Sequence, residues 1–326
     1  MSNVTPDSIF QVASGFMASK HLYVANEVGL FEQLADGAIT LDELSKRTGV
    51  PRRTIRILVD AMVALGFVDR QGDRYQNGPV AAAYLSGRTP ADLRPFLRFW
   101  NRISYPSWLH LEESIRTGQA AVGHLSEELV KIFSEGVEAS TAGTAMALAT
   151  TYDFSQHQRV LDLGGGTGSF LFAVLRNYSH LETTLFEQPD VAAVARQHLV
   201  GIPVADQVKI VEGDFFKDPI PDGHDAVIVA NVIHLFVPQH NLALLKRLRE
   251  CVPDGARLLL VDFWTDPTHT QPTFAALMAG EFQMFTGEGD VYSEEEVHEW
   301  LQQAGWRPLE HKPLAGPASL IVAEPV

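Results

Sequence analysis

Val160-Leu-Asp-Leu-Gly-Gly-Gly-Thr-Gly168 decides the fold of this chain. A short apolar run of strand character ends in a glycine turn, and Ser169 to Tyr178 (SFLFAVLRNY) continues as a helix. Glycines allow a tight turn and let a ligand approach the backbone closely. The helix behind them presents free N–H groups. The same alternation continues downstream. ETTLFEQ (182–188), VKIVEGD (208–214), DAVIVANVIH (225–234) and ARLLLVDFW (256–264) read as strands, and VAAVARQHL (191–199) and NLALLKRLREC (241–251) as helices. This pattern predicts an α/β fold with a Rossmann-like, mostly parallel sheet covered on both faces. Its ligand belongs beyond the C-terminal strand ends, near the topological switch point.

The spacing around the turn narrows the ligand class. A dinucleotide fingerprint starting at Gly164 requires glycine at 169, where Ser169 stands. The observed pattern places an acid, Asp162, just before Gly164, Gly166 and Gly168. A pyrophosphate gains nothing from that carboxylate, whereas a cation such as the sulfonium and amino group of S-adenosylmethionine does. Glu187, at the end of the next strand, is placed to accept hydrogen bonds from two ribose hydroxyls. That feature suits NAD and S-adenosylmethionine alike. The third strand ends in Glu212-Gly-Asp-Phe-Phe216. There Asp214 can accept from an adenine amino group while Phe215 packs on the ring.

The N-terminal part is organised differently. Apolar residues recur at helical spacing through Ile9, Val12, Phe16 and Met17, and again through Leu22, Ala25, Val28 and Leu30, which reads as short helices. Thr40 with Glu43 forms a capping box. A second helix carries Ile55, Leu58, Val59, Met62 and Leu65 on one face. Phe67, Val68 and Tyr75 flank a polar turn. Helix, turn, helix and hairpin make a winged helix. Residues 40–75 hold seven basic and five acidic residues, a weak charge excess for a groove reader. Twenty-five basic against forty acidic residues overall give a formal net charge of −15, unfavourable for binding phosphate backbones. The single cysteine, Cys251, excludes an internal disulfide framework and fits a reducing, cytoplasmic setting. The N-terminal stretch lacks the pattern of a secretory leader, and no apolar run is long enough to span a membrane. The expected organisation is a winged-helix domain over 1–90, a helical, aromatic-rich connector over 91–150 that can line a pocket, and a ligand-binding Rossmann-like domain over 151–326.

Taken together, VLDLGGGTG at 160–168, Glu187 before Pro189, EGDFF at 212–216 and the segment leading to His234 resemble the class I S-adenosylmethionine-dependent methyltransferases. Within them the chain is similar to small-molecule O-methyltransferases with an N-terminal winged-helix dimerisation domain. The resemblance implies one S-adenosylmethionine per chain, held through Gly164, Gly166, Glu187, Asp214 and Phe215, and a homodimer without nucleic acid. It also implies that His234 acts as general base, a role that suits an imidazole at neutral pH. Asp262 can orient that imidazole and stabilise its charged form. Trp100, Tyr105, Trp108, Met146 and Phe282, with Met17, Trp264, Met278 and Phe285, are candidates to wall the acceptor pocket.

Two departures bear on the acceptor. The Asp-Trp that follows the histidine in the family is Leu235-Phe236 here, and the family's supporting glutamate falls at Val291. Both changes make the pocket more apolar. O-methylation of a small, largely apolar aromatic acceptor of secondary metabolism is the first expectation. C-methylation of an enolisable keto acid, use of the bound sulfonium for its charge alone, and a winged-helix regulator that senses a metabolite are the alternatives. His234, His240 and Glu281 are possible metal ligands by type, without the close spacing of a metal motif, so no metal is expected.

Overall fold

The computed structural model describes residues 4–123 and 125–326, which form two compact units. The first runs to Tyr105 and takes in Glu135–Ser140; the second comprises Pro106–Ser134 and Thr141–Val326.

In the first unit the expected pair of short N-terminal helices is one helix, Asp7–Glu27, of 21 residues. No proline interrupts the run, and it stops only where Gly29 takes a left-handed φ of 69°. Ile9, Phe10, Val12, Phe16 and Met17 on this helix are more than half exposed, so this stripe belongs to no core of its own chain. Thr40 caps the helix Leu41–Thr48 through the reciprocal box with Glu43. The following helix, Arg52–Ala64, buries Ile55, Leu58, Val59 and Met62. Leu65, expected on that face, sits at the helix end and is exposed. Three short strands, β1 (Ile39–Thr40), β2 (Val68–Gln71) and β3 (Arg74–Asn77), pair antiparallel in the order β1-β3-β2 and complete the winged helix. Arg52 is bound to Asp42, while Arg56 and Arg70 both reach Asp60. These cations are thus partly neutralised within the unit.

The second unit is built on seven strands: β4 (Arg159–Leu163), β5 (Glu182–Glu187), β6 (Val208–Glu212), β7 (Ala226–Ala230), β8 (Arg257–Asp262), β9 (Trp306–Pro313) and β10 (Ser319–Pro325). Their order is β6-β5-β4-β7-β8-β10-β9, with β4 to β8 parallel and β10 antiparallel to both neighbours. The mostly parallel sheet is as expected. Apolar side chains alternate between its two faces, as strand geometry requires. Leu161, Leu163, Val227, Val229, Leu258 and Leu260 pack with Leu244, Leu245, Leu248, Val297 and Leu301 on one side. Val160, Ala226, Ile228, Leu259 and Val261 pack with Leu148, Phe170, Leu171 and Val174 on the other. Full burial of one such aliphatic side chain is worth roughly 1.5–3 kcal/mol. These two layers therefore hold the strand ends, and the side chains they carry, in fixed register. Among the described residues no helix is long and apolar enough to cross a membrane.

Candidate active site

Because β4 to β8 run parallel, their C-terminal ends gather on one edge, and the chain changes direction between β4 and β7. The glycine turn leaves β4 there. Gly164 has φ 68°, and a Cβ on it would lie 3.0 Å from Val232 Cγ2. Gly165 is more constrained: a Cβ would fall 2.3 Å from the Asp162 carboxyl carbon. The loop is thus wrapped directly over that carboxyl group. Asp162 is fully buried, and neither of its oxygens has a hydrogen-bond partner. Burial, reinforced by the charge of Glu187, pushes its pKa up to about 8. Glu187 ends the adjoining strand β5, and burial pushes its own pKa up to about 7. The Gln188 N–H, 3.2 Å from Oε2, offsets part of that shift. Such shifts mark a place built to receive charge or hydrogen-bond donors.

Asp214 and Phe215 follow β6. Asp214 is held below the usual carboxylate range by Lys217 Nζ at 2.7 Å and by the Phe216 N–H at 2.9 Å. Phe215 is buried, with Cε1 3.6 Å from the position of a Cβ on Gly164. Phe215, Phe216 and Phe236 form a three-ring cluster with centroids 4.9–5.8 Å apart. Gly164, Gly166, Glu187, Asp214 and Phe215 therefore all lie on the turns that leave three adjacent strands.

His234 does not close β7, as the apolar run suggested. The strand ends at Ala230, Asn231 turns with φ 57°, and His234 stands in a single 3-10 turn, Ile233–Leu235. Asparagine is one of the few residues that tolerate this left-handed conformation. Nδ1 of His234 lies 2.8 Å from Oδ1 of Asp262 at the end of β8. That same oxygen accepts the Phe263 N–H at 3.0 Å. Among the described residues Nε2 of His234 makes no hydrogen bond.

The turn is held by residues the sequence did not single out. Asn241, fully buried near the start of helix Pro238–Cys251, donates from Nδ2 to the carbonyls of Ile233 (2.9 Å) and Phe236 (3.0 Å). The Tyr292 hydroxyl donates to Phe236 O at 2.6 Å. The Asp290 N–H donates to the His234 carbonyl at 3.1 Å. The Tyr292 and Asp290 contacts join segments more than fifty residues apart, and the Asn241 contacts turn a helix start back on the loop before it, which no hydropathy pattern announces.

Among the acceptor candidates, Phe282 in helix Thr273–Thr286 stacks directly on the His234 imidazole. Phe263 and Phe274 extend this aromatic surface. Trp108 donates from Nε1 to Glu281, also on that helix, and Gly280 makes room for the indole. Trp264 is buried, Met278 and Phe285 are half-buried, and Met146 is more than half exposed. Trp100 and Tyr105 belong to the first unit, where Trp100 meets Phe96 edge-on and Tyr105 meets Tyr23. Met17 is also there, more than half exposed. Of the three side chains considered for a metal, His234 pairs with Asp262, His240 with Glu288, and Glu281 with Trp108. Among the described residues no three His, Cys, Asp or Glu side chains converge on one point.

The arrangement is a sheet edge with a glycine cradle, a buried and a half-buried carboxyl group and a carboxylate-bound imidazole. Comparison with known proteins agrees with it. Residues 113–307 match the O-methyltransferase domain, and residues 10–87 match the O-methyltransferase dimerisation domain. The chain is 30% identical to the tetracenomycin polyketide synthesis 8-O-methyl transferase of Streptomyces glaucescens, over 97% of this chain and 96% of that protein. It is 31% identical to the 3-hydroxy-5-methyl-1-naphthoate 3-O-methyltransferase of Streptomyces sahachiroi, over 92% and 89% of the two chains. Its fold matches the crystal structure of human N-acetylserotonin methyltransferase in complex with SAM, with a TM-score of 0.89, 25% identity, and 100% and 99% of the two chains covered. With its sheet order, its glycine turn and both domain matches in agreement, the chain belongs to the O-methyltransferase family that carries an N-terminal dimerisation domain.

Proposed function

We propose that this enzyme transfers a methyl group from S-adenosylmethionine to a hydroxyl of a small aromatic acceptor, with His234 as the general base. The observation that carries this reading is the pairing of His234 Nδ1 with Asp262 at 2.8 Å, which leaves Nε2 without a partner on the ligand-binding edge. The residues present fit the donor. Asp162 has two orphaned buried oxygens beneath a turn that excludes any Cβ at Gly165, which suits a cationic guest. Glu187 is placed for a ribose diol, and Phe215 for the face of an adenine. When bound, the donor supplies an electrophilic methyl on a sulfonium, which becomes a neutral thioether on transfer.

The chain's own part is to bind, orient and move one proton. An ordinary phenol, with pKa near ~10, is mostly protonated at neutral pH and therefore a weak nucleophile. Asp262 accepts a hydrogen bond from Nδ1–H, which fixes the tautomer with a lone pair on Nε2. Nε2 takes the acceptor's hydroxyl proton as the oxygen forms its bond to the methyl carbon and the sulfur–carbon bond breaks. Asp262 then stabilises the imidazolium. Positioning of the two reactants is worth up to roughly 10⁵–10⁸ M in effective concentration, and the base adds about 10²–10⁴-fold.

An aromatic acceptor is supported by Phe282, Phe263 and Phe274 beside the imidazole. The naphthoate and polyketide substrates named for the two bacterial relatives support it further. The exposed stripe Ile9, Phe10, Val12, Phe16 and Met17 lies largely within the matched dimerisation domain and supports a homodimer. One half-buried cysteine, whose thiol is pushed up by burial, fits a cytoplasmic setting. The test is incubation with methyl-labelled S-adenosylmethionine and a panel of hydroxynaphthoates, hydroxyquinones and simple phenols, read by mass spectrometry. A methyl ether on one of them, lost in H234A, is the expected result. Methylation at carbon, or full activity in H234A, sinks the reading.

A further inference from the structure

We propose that the neighbouring carboxyl groups Asp162 and Glu187 together keep a proton in the free enzyme and release it when the donor docks, so that donor affinity rises with pH across neutrality. The inference rests on the reading of this edge as the S-adenosylmethionine site.

The geometry behind it is specific. Asp162 stands one residue before the end of β4, and Glu187 ends the neighbouring parallel strand β5, two residues beyond Leu185, the register partner of Asp162. Asp162 is sealed under the turn at Gly165, with both oxygens unpartnered. Glu187 receives one backbone N–H, from Gln188. Neither has an ion-pair partner among the described residues. Around them, the register partners of Asp162 are Leu185 and Ile228, which carry no charge. Glu187 faces Glu212 across β6, and that carboxylate is held by Arg196 from helix Pro189–Leu199. Asp214 beyond it is held by Lys217. Asp190 in the first turn of the same helix is exposed, and the His198 ring stacks on Phe172. These basic groups are therefore already engaged, and the neighbouring charge that acts on Asp162 is that of Glu187.

Two desolvated carboxyl groups that feel one another do not both ionise without a cation. The protons leave in steps that belong to the pair. The raised titration of both groups agrees with this, Asp162 near 8 and Glu187 near 7. The donor changes the balance in two ways. It brings a sulfonium and an ammonium, which favour ionised carboxyl groups. It also brings a ribose diol, whose two O–H groups donate best to an ionised carboxylate, because that is an acceptor only. The bound state therefore holds fewer protons than the free one. Linkage makes the affinity rise with pH, by up to about tenfold per pH unit for one proton released.

The experiment is titration calorimetry of the intact protein with S-adenosylmethionine, without acceptor, at pH 7, in phosphate and in Tris, which differ in heat of ionisation. The expected result is a binding heat that differs between the two buffers in the sense of proton release. The dissociation constant should fall several-fold from pH 6.5 to 8, and D162N or E187Q should flatten that fall. Tight binding with the same heat in both buffers overturns the proton release while leaving the methyltransferase reading intact. Absence of binding in either buffer overturns both. A full pH dependence retained in D162N and in E187Q also overturns the proposal.

Discussion

The Phe282 ring lies flat on the imidazole of His234, with centroids 3.8 Å apart and planes 12° from parallel. Asp262 fixes one edge of the imidazole and Phe282 covers one face, so the ring has little freedom to turn. Gly289 makes the stack possible. A Cβ there would lie 2.6 Å from Phe282 Cβ and 2.7 Å from the His234 carbonyl oxygen. An aromatic pair of this kind contributes ~0.5–1.5 kcal/mol beyond its buried area. F282L keeps much of the volume and loses the flat contact. It should lower kcat roughly 3–10-fold, with S-adenosylhomocysteine affinity unchanged. Equal loss in both quantities would make Phe282 a general packing residue instead.

His234 and Asp262 should behave as one unit. H234A should lose about 10²–10⁴-fold in kcat, the range of a general base. D262N removes the acceptor that selects the tautomer and should cost a comparable amount. In the double variant the losses should not add, because each single change already disables the same proton transfer. Steady-state kinetics of the three variants decide this. Multiplicative losses would mean that the two side chains act separately.

Asn241 gives a structural prediction with a catalytic readout. Its amide serves two carbonyls, those of Ile233 and Phe236, inside the protein. Leaving a buried acceptor unsatisfied costs about 1–3 kcal/mol. N241L should therefore lower the unfolding free energy by roughly 2–5 kcal/mol, read by urea denaturation. Below its melting transition, residual kcat should fall further than donor affinity, because the turn that carries His234 loosens while the glycine loop does not. Loss of donor binding in the folded variant would contradict this.

What was legible in the sequence depended on how local the cause was. The apolar runs of β4, β7 and β8 and the glycines at 164–168 act over a few residues, so sheet and cradle could be read directly. Thr40 and Glu43 likewise cap their helix as a local rule requires. The N-terminal run reads as short pieces in the sequence but is one continuous helix, because its exposed stripe looks like separate amphipathic segments. The strand through Ala230 was extended to His234 because DAVIVANVIH is apolar throughout. Asn231, tolerant of positive φ, was the one available sign of the break. Asn241, Gly289 and Tyr292 carry no signal at all in one dimension. Gly289 and Tyr292 matter because folding brings their segments against the His234 turn, and Asn241 because the start of its helix folds back on that turn.

The buried titratable groups set the pH dependence of stability, and their signs can be followed separately. Asp162 is raised to about 8 and Glu187 to about 7 in the folded chain. For each, the folded state keeps a proton that the unfolded chain gives up near its ordinary value. That stabilisation is complete below about pH 4 and is lost as pH rises through 7 and 8. His157 and His224 run the other way, since burial lowers both below the usual histidine range. His157 lies 2.8 Å from the Tyr152 hydroxyl, and His224 lies 3.0 Å from Thr184 Oγ1. Their contribution is present above about pH 6.5 and is lost as pH falls through their lowered values. From pH 6.5 to 8 each histidine adds only about 0.4 kcal/mol as the unfolded imidazole finishes losing its proton, less than the carboxyl pair loses, so the pair governs the slope. The melting temperature of the free protein should therefore fall across that interval. D162N should fall less, and saturating S-adenosylhomocysteine should flatten or reverse the decline, because the ligand favours the ionised pair. A melting temperature that holds level or climbs from pH 6.5 to 8 without ligand would show that the two carboxyl groups are already ionised in the free protein.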